Sequence, residues 1–212
     1  MKTRMKSGDR RAAILHAAIR LFAEKGFRGT TTRELARAVG VTEPVLYQHF
    51  RTKRALYNAI IETKAAEFAE RAGELRQLAR GADDAAFFRA AADLVLSRYR
   101  DDPETARLLL FSSLERHELA ELFFERISAG LHKLVAGYIR RRTRAGAFRR
   151  VNPAIAARGF IGMISYHGFS ELLLPERFGK PDRRVAGEMT ALFLKGILLQ
   201  ADWDAIKERL AK

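Results

Sequence analysis

The twenty residues from 31 to 50 constrain the fold of this chain more than any other part of it. They read TTRELARAVGVTEPVLYQHF. Apolar residues recur in the first half at helical spacing and give a helix one apolar face: Leu35, Ala36 and Val39. Thr31 or Thr32 can cap this helix through its hydroxyl. Gly40 ends it, because glycine adopts the left-handed backbone conformation without a Cβ clash.

A second short helix is predicted after the glycine. Thr42 offers a cap, and Pro44 falls in the first helical turn, where its missing N–H removes no hydrogen bond. Three apolar residues can pack inward: Val45, Leu46 and Phe50. The residues left mainly outward are Glu43, Tyr47, Gln48 and Arg51. An outward tyrosine suits a face that enters a groove of DNA, so the stretch predicts a helix-turn-helix for the major groove.

This order of residues resembles the N-terminal domain of the tetracycline-repressor (TetR) family of bacterial regulators. The resemblance rests on LARAVGV, then PVLYQHF, then Lys53–Leu56, and it extends upstream through residues 13–27, which look like the family's first helix. It implies a helix-turn-helix domain in residues 1–56 and a helical effector-binding and dimerisation domain in residues 57–212. The partners it implies are a double-stranded DNA operator, a second copy of the chain and a small-molecule effector, with no cofactor.

The charge distribution also favours DNA binding by the N-terminal segment. The net charge is +14, and residues 1–56 hold 13 Lys and Arg against 4 Asp and Glu. A basic segment of this kind is typical of phosphate binding, although a generally basic proteome would also raise the total charge. The chain has no cysteine, which excludes disulfides and thiolate metal sites. No long apolar run follows the basic start, so we expect no signal peptide and no membrane span. The resemblance to bacterial regulators implies a location in the bacterial cytoplasm, at the nucleoid when the protein is bound to DNA.

The rest of the sequence predicts helices and no strands, so the fold class is all-α. Ile14, Ala18, Leu21 and Phe22 form an apolar stripe that we expect to pack under the helix-turn-helix. Caps, glycines and prolines place later helices at about Lys53–Leu78, Asp83–Arg100, Glu104–Ser113, His117–Ala145, Asn152–Leu174, Asp182–Gln200 and Trp203–Leu210. Pro175 and the segment 179–181 are predicted to form a loop.

Glycines recur in the last two long helices: Gly159, Gly162, Gly168, Gly187 and Gly196, with the small Ala191 among them. Glycine costs about 1 kcal/mol relative to alanine inside a helix, so its repeated use indicates close helix–helix approach. These helices can be buried within one monomer. The segment 191–197 looks like the family's final dimerisation helix, which favours a homodimer that reads a palindromic operator.

The resemblance also implies which side chains meet DNA: Thr32, Arg33, Glu43, Pro44, Tyr47, Gln48, His49 and Lys53. Thr32 and Arg33 open the first helix of the motif near the backbone and groove, and Arg33 is suited to a bidentate pair with guanine. Glu43, Pro44 and Gln48 occupy the base-reading surface, where Gln48 is suited to adenine.

Tyr47 and His49 resemble the aromatic residue and the histidine that the family places against phosphates, and Lys53 matches a phosphate-binding lysine. Tyr47 can also pack against a neighbour. Glu43 departs from the expected pattern, since an acid near phosphates repels them. It either accepts a hydrogen bond from cytosine or caps or orients Arg33.

The resemblance implies that the middle helices wall an effector cavity, and their aromatic residues are candidates for its lining: Phe88, Tyr99, Phe111, Phe124 and Tyr138, together with Phe87 and Phe123. Aromatic residues at helical spacing also form plain core. His167 can orient a ligand, as can His117 and His132, but the three histidines lack metal-ligand spacing, so no metal is predicted.

A basic cluster follows: Arg140, Arg141, Arg142, Arg144, Arg149 and Arg150. One interpretation is a solvated helix C-terminus, where the helix dipole stabilises positively charged side chains. The other is a contact for an anionic effector or for DNA.

The function predicted from the sequence is a sequence-specific transcriptional regulator, a repressor by the family's habit. Effector binding would tilt the long fourth helix and change the separation of the two DNA-binding heads. The alternatives are a non-specific architectural DNA-binding protein, and an enzyme or binding protein with a vestigial helix-turn-helix. The sequence contains no paired carboxylates, nucleophile–base set, glycine-rich phosphate loop or metal motif, so no enzymatic activity is predicted.

Overall fold

The computed structural model describes residues 7–114, 118–178 and 184–198, and these residues form helices joined by short turns. The helices of the first half are α1 (Ser7–Gly29), α2 (Thr32–Val39), α3 (Glu43–His49), α4 (Lys53–Leu78), α5 (Asp84–Asp101) and α6 (Pro103–Leu114). Those of the second half are α7 (Glu118–Phe123), a π-helical segment (Phe124–Ser128), α8 (Ala129–Arg144), α9 (Pro153–Leu173), α10 (Pro175–Phe178) and α11 (Arg184–Ile197). No strand occurs in these described ranges, and the predicted all-α fold class is confirmed.

The chain packs as two compact units. The first contains the described residues of Met1–Glu67 and Glu104–Ile127, and the second those of Phe68–Pro103 and Ser128–Lys212. The division falls within α4 and assigns α6 and α7 to the first unit. The functional boundary predicted after residue 56 stays a prediction.

The core of the first unit forms under the helix-turn-helix. Ile14, Ala18 and Phe22 are fully buried on one face of α1, with Leu21 partly buried beside them, as the apolar stripe predicted. Phe22 and Tyr57 lie with ring centroids 5.8 Å apart, so α4 packs on α1. The Tyr57 hydroxyl lies 2.6 Å from Ser112 Oγ, which ties α4 to α6 inside this unit.

The core of the second unit is built from α5, α8, α9 and α11. Asp83 caps α5, since its Oδ1 accepts a hydrogen bond from Ala86 N at 3.1 Å. Phe88 is fully buried at the centre of this unit. In the described ranges its ring lies within aromatic contact distance of five others: Phe87, Tyr138, Phe148, Phe160 and Phe193.

Three predicted segments differ from the structure or lie outside it. The single long helix predicted to end at Ala145 is interrupted by the π-helical segment Phe124–Ser128. A four-residue helix, α10, begins at Pro175, where a loop was predicted. Residues 115–117, 179–183 and 199–212 lie outside the described ranges, and with them His117 and the predicted helix Trp203–Leu210.

Candidate nucleic-acid interface

The turn that leads into α2 is held by buried polar contacts. Gly26 adopts a φ of +72°, which breaks the helical path of α1 and favours glycine there. Thr30 is buried, and its hydroxyl donates to Gly26 O at 2.9 Å. Lys53 Nζ donates to Phe27 O at 2.6 Å and to Thr30 O at 2.9 Å, and it lies 4.2 Å from the centre of the Phe27 ring. Lys53 therefore anchors the start of α4 to this turn, a role that the sequence did not reveal; its phosphate contact stays a prediction.

The N-terminus of α2 carries a complete capping box. Thr31 Oγ1 accepts from Glu34 N at 3.2 Å, and Glu34 Oε2 accepts from Thr31 N at 2.9 Å. Thr31, one of the two predicted caps, is thus the N-cap residue. Lys25 Nζ donates to Glu34 Oε1 at 2.6 Å. This contact and the Thr31 donors lower the pKa of Glu34 to about 2.

The turn between α2 and α3 has the geometry that its glycine predicts. Gly40 has a φ of +71°, the left-handed conformation, and the Val41 amide donates to Ala36 O at 3.0 Å. Thr42 occupies the N-cap position of α3, but its hydroxyl makes no capping hydrogen bond. Leu46 is buried on the inner face of α3. The two helices therefore form a helix-turn-helix with an internal apolar face.

The outer face of α3 is polar and exposed. Pro44, Gln48 and Tyr47 are exposed, the last with 42 % of its surface accessible, while Glu43 and His49 are half-buried. Arg11 on α1 places its guanidinium carbon 4.5 Å from the centre of the Phe50 ring, which brings a further cation to the end of α3. Sequence reasoning missed Arg11, because thirty-nine positions separate it from its aromatic partner.

Four of the predicted contact residues meet one another at the surface. Thr32 donates to Glu43 Oε2 at 2.8 Å, and the Tyr47 hydroxyl donates to Thr32 Oγ1 at 3.4 Å. Glu43 Oε1 lies 3.8 Å from Arg33 Nε. The sequence left open that Glu43 approaches Arg33 and that Tyr47 packs against a neighbour. Both of these intramolecular contacts occur, and the neighbour of Tyr47 is Thr32. Contact with DNA stays a prediction for all eight residues.

Comparison with known proteins identifies the family. Residues 14–60 match the family described as bacterial regulatory proteins, tetR family. Residues 85–195, more than half of the chain, match the C-terminal domain of AefR-like transcriptional repressors. The chain belongs to the TetR family.

Individual relatives differ in how much of the chain they match. The class A tetracycline repressor from transposon 1721 of Escherichia coli is 50 % identical over 54 residues, which are 26 % of this chain and 25 % of that repressor. The HTH-type transcriptional regulator YvkB of Bacillus subtilis (strain 168) is 24 % identical over 198 residues, covering 87 % of this chain and 95 % of YvkB. A crystal structure of AibR in complex with isovaleryl coenzyme A and operator DNA has a TM-score of 0.68 at 22 % identity, covering 86 % of this chain and 97 % of that one. The chain thus spans about a quarter of the length of that tetracycline repressor, and the likeness to AibR is one of fold.

The residues predicted to line an effector cavity do not share one environment. Phe88 and Tyr138 lie in the core of the second unit, with ring centroids 5.7 Å apart. Tyr99 is half-buried in that unit. Phe111 and Phe124 are exposed residues of the first unit. Helical spacing identified aromatic residues on the right helices, but only tertiary packing decides which of them are core; ligand contact stays a prediction for all of them.

The two described candidate histidines each meet a partner four positions away in the sequence. His167 Nε2 lies 3.1 Å from Oε1 of Glu171, whose side chain is buried. His132 Nδ1 lies 2.9 Å from Ser128 O, one turn earlier in the chain. His117 falls outside the described ranges.

The basic cluster divides into structural and exposed arginines. Arg142 donates to both oxygens of Asp84, at 2.7 and 2.8 Å. Arg141 donates to Ala79 O and Gly81 O, carbonyls just beyond the end of α4. Arg149 also donates within the unit, to Leu198 O at 3.5 Å. The other members are exposed: Arg140, Arg144 and Arg150. Part of the cluster therefore serves the fold of the second unit.

The glycines of α9 and α11 also fall into two groups. A Cβ at Gly168 would lie 2.4 Å from Tyr99 Cδ2, so this glycine allows close approach of α9 and α5 within the unit. Gly159, Gly162 and Gly196 are exposed, and a Cβ at each would meet nothing within 4 Å. They lie among exposed apolar residues of the same two helices: Ile155, Tyr166, Leu173 and Leu192. Among the residues that the structure describes, packing within the unit accounts for Gly168 but not for Gly159, Gly162 or Gly196.

Proposed function

We propose that this TetR-family protein is a sequence-specific DNA-binding transcriptional regulator, which represses from a palindromic operator as a homodimer until a small-molecule effector releases it. The observation that carries the proposal is the exposed face of α3. That face presents Tyr47, Gln48 and Pro44 to the outside on a helix whose other side is fixed by buried Leu46. A rigid short helix with a polar outer face is what major-groove reading requires.

The proposed contacts divide between bases and phosphates. Gln48 pairs with adenine, and Arg33 pairs with guanine through its outer guanidinium nitrogens. Tyr47 and His49 contact phosphate oxygens beside the groove. Phosphate contacts set the register of the protein on the duplex, and base contacts supply its specificity.

The exposed stripe on α9 and α11 supports the homodimer. Gly159, Gly162 and Gly196 give room there for a second backbone, and Tyr166 exposes 69 % of its surface. An apolar stripe with small residues at its centre suits the same stripe of a second copy around a two-fold axis. The dimer interface would then be formed by α9 and α11, two of the helices that build the core of the second unit.

Effector release is proposed for the second unit. AibR, similar in fold, carries isovaleryl coenzyme A and operator DNA in one crystal. An effector lowers operator affinity only if it binds the two states of the protein with different affinity. A hundredfold loss of operator affinity corresponds to about 2.7 kcal/mol of such coupling.

Selection of random duplex DNA by the purified protein tests the proposal. At near-physiological salt we expect an enriched palindrome whose half-sites lie about 34–36 Å apart, or a multiple of that spacing. Gln48→Ala should relax the preference at one position of each half-site, whereas Gln77→Ala, a matched change of an exposed glutamine on α4, should leave the profile unchanged. Tight binding without enrichment would contradict the proposal.

A second candidate, non-specific architectural DNA binding, is favoured by the excess of cations in residues 1–56. It predicts equal affinity for all sequences and a steep loss of affinity with salt. The same selection separates the two, because a specific regulator binds its site about 10³- to 10⁷-fold more tightly than other DNA.

A further inference from the structure

Glu43, Thr32, Arg33 and Tyr47 form one continuous set of contacts across the helix-turn-helix. The Tyr47 hydroxyl donates to Thr32 Oγ1, and Thr32 donates to Glu43 Oε2. The other carboxylate oxygen of Glu43, Oε1, lies 3.8 Å from Arg33 Nε. One acidic side chain of α3 therefore touches both of the residues that open α2.

Helix geometry brings these side chains together. Thr32 is the first residue of α2, and Glu43 is the first residue of α3. Tyr47 follows Glu43 by four positions and shares its face of α3. A carboxylate is also favoured in the first turn of a helix, where backbone N–H groups point outward. These local effects explain how an acid is tolerated on a surface that is proposed to approach phosphates.

The contact between Glu43 and Arg33 is made at the inner nitrogen of the guanidinium. Arg33 exposes 88 % of its side chain and faces Glu43 with Nε, the nitrogen nearest its stem. Guanine is read by two parallel N–H donors that reach O6 and N7. The two terminal nitrogens of a guanidinium supply such a pair. Without a partner, an exposed arginine samples many rotamers and loses that freedom on binding.

We propose that Glu43 is a positioning residue for base recognition: it holds Arg33 for one guanine in each half-site and does not itself read cytosine. The inference rests on the proposed function, because it concerns the same DNA-reading face. It names guanine as the base that this part of the surface recognises. It also assigns to Glu43 a contribution to specificity that acts through Arg33.

The expected effects differ in size. A good bidentate pair is worth about 5- to 150-fold in discrimination against other bases, so Arg33→Ala should abolish a preference of that order. An exposed ion pair contributes much less. Loss of Glu43 should therefore reduce the same preference by about two- to fivefold.

The test is the random-duplex selection, repeated with variants and read position by position. Arg33→Ala should remove a guanine preference at one position of each half-site. Glu43→Ala should weaken the preference at that same position, and Glu43→Gln, whose amide oxygen still accepts from Thr32, should lie between wild type and Glu43→Ala. The double variant Arg33→Ala, Glu43→Ala should have the profile of Arg33→Ala alone. Glu24→Ala, which removes an exposed acid of α1, controls for the change of charge.

Four results would overturn the inference and leave the proposed function standing. Additive losses in the double variant would show that Glu43 contacts a base independently. A lost preference at a position that Arg33→Ala does not affect would show direct reading by Glu43. If Glu43→Ala changes the affinity for all DNA sequences equally, and as much as Glu24→Ala does, then Glu43 acts only through its negative charge. If the wild-type protein enriches a palindrome and Glu43→Ala enriches the same one unchanged, the inference about Glu43 is wrong but the proposed function stands. If the wild-type protein enriches no palindrome, both the inference and the proposed function are wrong.

Discussion

Two carboxylates with similar partners occupy opposite environments in this protein. Glu43 opens α3 in the first unit, and Asp84 opens α5 in the second. Glu43, with 37 % of its side chain exposed, lies 2.8 Å from the Thr32 hydroxyl and 3.8 Å from Arg33. Asp84, only 3 % exposed, accepts from the Tyr138 hydroxyl at 2.6 Å and from two nitrogens of Arg142. Each acid thus meets one arginine and at least one hydroxyl.

The difference shows how burial divides structural from recognition roles. A buried carboxylate must be fully hydrogen-bonded, because removing it from water costs several kcal/mol. Asp84 meets that requirement and fixes α5 to α8 within its unit. Water competes for an exposed ion pair, so the Glu43–Arg33 contact is weak, and the largely exposed Arg33 side chain can meet a further partner while it keeps this contact. Only the exposed network is suited to meeting a ligand.

The largest effect is expected from Asp84→Ala. The substitution leaves the half-buried Arg142 guanidinium without its carboxylate, and breaking such a pair costs about 3–5 kcal/mol. We expect a drop of that size in the free energy of unfolding, measured by urea denaturation. Arg140→Ala, an exposed change on α8, should alter it by no more than about 0.5 kcal/mol. Equal effects of the two variants would break the comparison.

Removing the hydroxyl group from Tyr138 and from Tyr47 compares the buried hydrogen-bond network with the exposed one directly. Tyr138→Phe takes a hydrogen bond from buried Asp84 and should cost about 1.5–3 kcal/mol of stability. Tyr47→Phe removes an exposed 3.4 Å contact, so we expect a change in stability within about 0.5 kcal/mol. Thermal unfolding of both variants measures the contrast, and a larger loss for Tyr47→Phe would reverse it.

The pH dependence of the Tyr138 effect has a defined sign. Burial, and then the hydrogen bond to Asp84, raise the pKa of Tyr138 above its ordinary value of 10.0. The folded state therefore retains the phenolic proton to higher pH than the unfolded state. The resulting stabilisation is complete below pH 10 and is lost as the pH rises above it. The stability difference between wild type and Tyr138→Phe should shrink over that alkaline range.

The same contrast between buried and exposed positions occurs within α9. Gly168→Ala forces a Cβ against the Tyr99 ring and should destabilise the protein by about 1–3 kcal/mol. The added methyl group of Gly162→Ala meets no atom within 4 Å among the described residues, so the substitution should leave folding intact and weaken the dimer. Urea denaturation and sedimentation equilibrium measure the two effects. Unchanged dimerisation in Gly162→Ala would remove this glycine from the proposed interface.

The sequence predicted the features that depend on near neighbours. The Thr31–Glu34 cap spans three positions, and Gly40 needs only its own backbone conformation. The exposed and buried sides of α3 follow from its periodicity. These local signals suffice for the helix-turn-helix and for most helix bounds.

Contacts between distant residues could not be predicted. The Asp84–Tyr138 hydrogen bond joins residues 54 positions apart, and Lys53 reaches carbonyls 23 and 26 positions away. The same lack of tertiary information affected the aromatic candidates, since periodicity does not distinguish the core residue Phe88 from the exposed residue Phe124. The sequence showed which acid departs from the family pattern, but only the folded structure places Glu43 beside Thr32 and Arg33 together.

The smallest effect concerns the exposed side of the comparison. The Lys25 ammonium and the Thr31 donors lower the pKa of Glu34 from 4.5 to about 2. The unfolded state therefore binds a proton to Glu34 at higher pH than the folded state does. The stabilisation is present above pH 4.5 and is lost as the pH falls toward 2. Glu34→Gln should abolish this acid-dependent part of the unfolding free energy, whereas Glu24→Gln should retain it. Because Glu34 is exposed, solvent and salt screen these contacts, so raising the ionic strength should reduce the difference between the two variants.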